Sequence, residues 1–143
     1  MPLYAVGDIV VVPFPFSGSP EEVKRRPAAV LATWPVVAGK TRTQDYLLAL
    51  ITSQVTTDPH RIPLTSADVI GKQLTAVQSF LRPTYLFAAD EGLIAYKMAA
   101  LSPQALDRAL LVLHQLFAPK IGPSSAVQNS ADADTDDSPQ ETG

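Results

Sequence analysis

"GDIVVVPFPFSGSPEEVKRRPAAVLAT", residues 7–33, decides how this chain folds. Residues 8–14 are rich in β-branched side chains and read as a strand. Pro13 and Pro15 bar a regular central ladder, so the chain there leaves the sheet or lies at its edge. Residues 16–25 have the composition of a loop. A second strand is expected over residues 27–33, with Pro27 at its start, where the missing N–H falls outside the ladder. Lys24, Arg25 and Arg26 then stand together at the mouth of a buried strand, more positive charge than solubility asks of a loop.

The pattern extends along the chain. Residues 35–44 read as turn or loop. Residues 45–54, DYLLALITSQ, are apolar and bounded by polar segments, and are too short for a helix. They are expected to form a buried strand. Residues 56–61 are a loop, followed by a short extended piece over 61–65. Residues 71–88 fit helix and strand alike, and a hairpin is expected where 85–88 and 93–98 flank the turn ADEG. One helix is clear. Ser102 suits its N-cap and Pro103 its first position. Apolar residues at 106, 109, 110, 113, 116 and 117 make one buried face, and Pro119 and Gly122 end it. About five or six strands followed by one helix make a mainly β fold, a small bent antiparallel sheet or barrel with a C-terminal helix. The domain is expected over residues 1–119, with a disordered acidic tail over 120–143.

Composition narrows the chemistry. A chain of 143 residues can bury one core without staples. There is no cysteine, and two histidines leave little for a zinc site, so no metal and no cofactor is expected. No apolar run approaches the ~20 residues that span a bilayer. The first residues read as a strand and not as a signal peptide, which favours a cytoplasmic protein with no membrane partner. The net charge of −3 conceals an asymmetry: setting aside the five acids of residues 124–143, a stretch without Lys or Arg, leaves +2 for the body. A mildly basic body permits an anionic partner.

Several side chains could serve such a partner. Arg26 is the best anchored cation, and its fork of donors matches two phosphate oxygens at any physiological pH. Lys24 and Arg25 add charge on the loop. The alternative is a solvated loop with Glu21 and Glu22 as counter-ions. Thr52 and Ser53 end an apolar strand, where adjacent hydroxyls can hold a phosphate or simply finish the strand. His60 is either a general base or an exposed loop residue. Trp34, Phe14 and Phe16 can stack on bases or pack internally. Asp8 reads as structural.

Taken together, "GDIVVVPFPFSGS" (7–19), "KRRPAAVLAT" (24–33), "LALITSQ" (48–54), "DPHRIPL" (58–64), "QSFLRP" (78–83) and "ALSPQALDRALLVLHQLF" (100–117) resemble the PemK/MazF family of toxin–antitoxin ribonucleases. The resemblance implies an SH3-like antiparallel β-barrel with a C-terminal helix, usually a homodimer. It implies cleavage of single-stranded RNA (mRNA) without a metal, and a cognate antitoxin that blocks the RNA groove. The catalytic arginine of the family falls on Arg26 and its strand-end hydroxyl on Thr52, with Ser53 beside it. A loop glutamate used by some members falls on Glu21. RNA contacts are expected from Lys24, Arg25, Phe16, Ser17, His60, Arg61 and Arg82. One branch of the family pairs an arginine with an aspartate two residues later; Arg82 fits the arginine, but the later position is Thr84. Two other readings stand beside this one: a non-catalytic toxin of the same barrel that binds and poisons gyrase, and an inactive RNA-binding module.

Overall fold

A computed structural model describes residues 2–16, 19–76 and 78–121, with side chains at 15–16, 19–23 and 119–121 outside the description. Two compact units divide the chain, Met1–Leu110 and Leu111–Gly143. The first holds a sheet and the opening turns of the helix, and the second is described through helical residues 111–121. Among the described residues there are seven strands: β1 (Asp8–Phe16), β2 (Ser19–Ala38), β3 (Thr41–Thr52), β4 (Ile62–Leu64), β5 (Val69–Gly71), β6 (Ser79–Asp90) and β7 (Tyr96–Leu101). They form one antiparallel sheet in the order β4-β6-β3-β2-β1-β7-β5, curled into a half-barrel. Helix α1 spans Pro103–Ile121. The mainly β architecture with a C-terminal helix is as expected from the sequence.

Strand β2 is the longest, and it corrects the expected loop. Residues 19–25 are strand, paired with β1 through Val12↔Arg26, Pro13↔Arg25, Phe14↔Lys24 and Pro15↔Val23. Pairing with β1 overrides the polar composition. The prolines survive for a positional reason. β7 pairs only with Asp8–Val11 of β1, so residues 12–16 have β2 on one side alone. Pro13, Pro15 and Pro27 all fall at alternate, odd positions of the β1–β2 ladder, in pairs that need not exchange N–H bonds. Beyond the sheet proper, the two strands therefore make a ribbon that carries the cations.

The segment 35–44 is likewise strand, closing on Ala38↔Thr41 with Gly39 at φ +62°, the left-handed conformation that a two-residue hairpin turn requires. The expected hairpin between 85–88 and 93–98 does not form. β6 pairs with β3 and β4, whereas β7 pairs with β1 and β5. A short 3-10 turn at Glu91–Leu93 carries the chain from one to the other. The ambiguity over 71–88 resolves as β6, which contains Pro83 fully buried in a bulge between Leu50↔Arg82 and Ala49↔Leu86.

Alternation along the strands splits the sheet into two buried faces. Val10, Val12, Ala28, Val30, Tyr46, Leu48, Ala89 and Ile94 form one core cluster, flanked by Tyr4 and Phe87. The Tyr46 hydroxyl donates to Glu91 and accepts the Tyr4 N–H at 3.3 Å, and Leu3 N–H donates to Glu91 at 3.0 Å, which ties the N-terminal segment to the 3-10 turn.

Helix α1 starts as expected: Ser102 Oγ accepts the Ala105 N–H at 3.1 Å. Among its described side chains Ala105 and Ala109 are buried and Leu110 remains 40% exposed; of the expected stripe only Ala109 is fully enclosed, and Ala105 was not in it. The helix is described through Pro119 to Ile121, so Pro119 does not stop it and the last described helical residue immediately precedes Gly122. The expected tail lies outside the described residues from residue 122 onward. Asp68 anchors the first turns. It pairs with Arg108 at 2.8 Å, and its carbonyl accepts the Ser102 N–H at 2.8 Å. Asp8 is structural, accepting the Ala5 N–H at 2.9 Å and pairing with Lys97 at 3.3 Å. Gly7 takes φ +97°, with its N–H on the Val30 carbonyl and its carbonyl receiving the Leu101 N–H. No described helix is long and apolar enough to cross a membrane.

Two stability outcomes follow from these anchors. Gly7→Ala, which forces a Cβ into a left-handed backbone, lowers unfolding free energy by about 1–2 kcal/mol in denaturant titration. For Asp68, burial pushes the carboxyl upward, but bonds from the Thr65 N–H and hydroxyl and from Arg108 outweigh it, so it lies below its ordinary 3.8. A carboxyl depressed in the folded state adds stability that is complete above the unfolded value and is lost as pH falls through the folded one. Melting temperature therefore drops below about pH 4, and Asp68→Asn removes part of that acid sensitivity while lowering stability at pH 7.

Candidate nucleic-acid interface

The ladder brings the candidate residues of β2 and β3 to one place. Ala28 pairs with Leu50, so one side-chain step earlier on β2 Arg26 comes beside Thr52, which itself pairs with Phe80 of β6. Arg25, Arg26, Thr52, Ser53, Ala76 and Ser79 are among the residues lining a cavity of about 160 Å³ at these strand ends. Arg25 and Ser53 are exposed, and Arg26 and Thr52 are half-buried. Thr52 Oγ1 accepts the Gln54 N–H at 3.1 Å, a local turn that uses the oxygen as acceptor and keeps its O–H as a donor. A second cavity of about 280 Å³ shares Leu74, Ala76 and Ser79 with the first and continues past Thr65, Ser66 and Gln73. The two cavities adjoin at Leu74, Ala76 and Ser79.

Lys24 and Arg25 are not on a loop. Both are exposed residues of the β1–β2 ribbon, which holds their backbone in register with Phe14 and Pro13. Phe14, opposite Lys24, packs against Tyr85 at 5.5 Å and Phe87 at 5.0 Å between ring centroids. Trp34 is not part of this group. It sits ten residues further along β2 than Lys24, opposite Asp45 in the β2–β3 hairpin. Ser17 and the side chains of Phe16 and Glu21 lie outside the described residues.

His60, Arg61 and Arg82 gather around a residue that sequence reasoning passed over, Asp58. Its Oδ1 accepts the His60 N–H at 2.9 Å. Its Oδ2 accepts Arg82 Nε at 3.0 Å and the Thr84 hydroxyl at 3.1 Å. Its carbonyl accepts Arg61 Nη1 at 2.9 Å and the Arg61 N–H at 3.3 Å. The Asp58 side chain is only 7% exposed. Burial pushes its carboxyl upward, but the His60 N–H, Arg82 and Thr84 bonds and the Arg82 charge pull it further down, so it lies below its ordinary value. The guanidinium carbons of Arg61 and Arg82 stand 5.9 Å from the Phe80 ring and 5.2 Å from the Tyr85 ring. The Thr84 position thus lacks a carboxylate in sequence but bonds to one in space. An Asp two residues before a loop His, able to close a local turn on that N–H, was the available signal.

By register, Lys24, Arg26, Thr52, Phe80 and Arg82 share one face of the sheet, and Arg25 lies on the other. Arg82 stands opposite Leu50, one side-chain step from the Thr52–Phe80 rung, which is roughly 7 Å along a strand. Cations on β2, β6 and the 58–61 loop, hydroxyls on β3 and aromatic rings between them make a surface suited to a phosphate backbone with unstacked bases. No protein-family model matches this chain, and no curated protein matches it.

Proposed function

We propose that the chain is an endoribonuclease of the PemK/MazF type, cutting single-stranded RNA without a metal. The observation that carries this reading is the single cavity lined by Arg25, Arg26, Thr52 and Ser53. RNA supplies its own nucleophile. Attack of a ribose 2′-OH on the adjacent phosphorus expels the 5′ oxygen and leaves a 2′,3′-cyclic phosphate and a 5′-OH. The protein must splay the strand, hold the 2′-OH in line with the leaving oxygen, and stabilise charge that builds on the pentacoordinate phosphorus.

In this mechanism Arg26 faces the non-bridging oxygens. Its permanent charge makes it a donor and not a base. Thr52 or Ser53 bonds a non-bridging oxygen or the 2′-OH. Glu21 or His60 accepts the 2′-OH proton. The departing 5′ oxygen, hydrogen-bonded by Arg26, takes a proton from water or from the base just protonated and becomes the 5′-OH. Lys24, Arg25, Arg61 and Arg82 hold neighbouring phosphates. A homodimer, a cognate antitoxin covering the groove and a cytoplasmic setting belong to the same reading.

Purified protein is incubated with mixed-sequence single-stranded RNA in EDTA, and the ends are mapped. Wild type yields cyclic-phosphate ends. Arg26→Ala, with its melting curve intact, loses about 10²–10³ in rate, the usual effect of removing one donor aimed at developing charge. Full activity in that variant removes Arg26 from the mechanism. Wild type that binds RNA with steep salt dependence yet leaves it whole points to a binding module, and gyrase-dependent DNA breaks point to the gyrase poison. Thr52→Val, which keeps shape and loses the hydroxyl, lowers kcat about tenfold with little change in KM if Thr52 acts in the transition state.

A further inference from the structure

Asp58 uses both carboxylate oxygens and its carbonyl to hold neighbouring groups. Both carboxylate oxygens are engaged, one by the His60 N–H and the other by Arg82 Nε and the Thr84 hydroxyl. The carboxylate is buried beneath the groups it holds, at 7% exposure against 29% for the Arg82 side chain. The manner of the Arg82 contact is informative. A guanidinium offers two edges to a planar anion, the Nε–Nη edge and the Nη1–Nη2 edge. Asp58 takes the Nε–H, and Tyr85 lies against the guanidinium at 5.2 Å. That leaves the terminal Nη1–Nη2 edge as the part able to grip a phosphate two-pronged.

We infer that Asp58 is a positioning residue: it takes Arg82 by its Nε–H and aims the terminal edge of the guanidinium at a phosphate neighbouring the one beside Arg26 and Thr52. The inference rests on the RNA-cleaving reading for its substrate. It restores in space the carboxylate that position 84 lacks, with Thr84 serving as a further donor to that carboxylate. The same residue also orients Arg61, through its carbonyl, so one loop aspartate sets two cations at the sheet end. An exposed ion pair would contribute little to either stability or geometry. A carboxylate this buried, with several donors converging on it, fixes both partners.

The test is a double-mutant cycle on the full chain: wild type, Asp58→Asn, Arg82→Ala and both together, assayed for single-stranded RNA cleavage in EDTA with melting curves recorded. Asp58→Asn lowers kcat/KM about 10- to 100-fold, the scale expected of a misaligned contact. Arg82→Ala lowers it at least as far, and the double variant is no worse than Arg82→Ala, because Asp58 acts only through Arg82. Wild-type rates in Asp58→Asn overturn the inference, as do losses that multiply in the double variant. A readout independent of activity is the ¹⁵N-detected Nε–H of Arg82. It exchanges slowly with water in wild type and fast in Asp58→Asn; fast exchange in wild type overturns the pairing even where a variant folds poorly. If wild type leaves RNA whole, the proposed function fails, and the same cycle is read on affinity for the single-stranded oligonucleotide, where additive losses overturn the inference and non-additive ones support it.

Discussion

The double pairing of β2 governs the molecule. At Ala28 and Ala29 this strand meets β1 on one edge and β3 on the other. On either side of that short stretch only one partner continues. Toward the N-terminus β1 follows β2 out to Phe16, and toward the C-terminus β3 follows it to the hairpin turn. Ala28 and Ala29 are both fully buried, so the doubly paired stretch is also where both faces of the sheet are closed. A one-residue slip there would exchange the two faces and carry every side chain of the ribbon with it. The placement of Arg25 and Arg26 is a consequence of that register, since they are the last residues before Pro27 withdraws the N–H that a third strand would need.

How much of this the sequence disclosed depends on which interaction decided each element. β1, residues 27–33 of β2, β3 from residue 45 and the cap of α1 were legible, because local composition and burial agree there. The charged half of β2 was not. Its polar residues look like loop, and only the β1 partner makes them strand. The 85–98 segment misled for the opposite reason. Two apolar runs around ADEG have the local form of a hairpin, but each run finds a better partner elsewhere, β3 and β1 respectively. The helix stripe was read too broadly because periodicity marks every apolar residue on a face, whereas Ala105 and Ala109 are small enough to be the ones fully enclosed.

The candidate site divides in the same way. Arg26 and Thr52 are far apart in sequence, yet their convergence followed from strand ends that a family resemblance had already ordered. Asp58 left no comparable trace. Its role is a tertiary one, joining a loop to the bulge in β6, and the bulge exists because Pro83 cannot continue the ladder. Bulges add twist and redirect side chains. Here the redirection brings Thr84 to Asp58 and Tyr85 to Phe14, linking the loop, β6 and the ribbon.

That linkage bears on why the cations cluster where they do. Lys24, Arg25, Arg26, Arg61 and Arg82 repel one another, and bringing them to one end of a sheet works against the folded state unless something offsets it. Asp58 offsets part of that repulsion from beneath, while the ring faces of Phe80 and Tyr85 add cation–π attraction without neutralising charge. The charges of Arg61 and Arg82 are therefore partly compensated from inside the sheet end. An arrangement built only for stability would place carboxylates in the plane of the cations, where both ions share solvent. With the acid below and the ring faces alongside, Arg61 and Arg82 are held in place at the sheet end while keeping their charge.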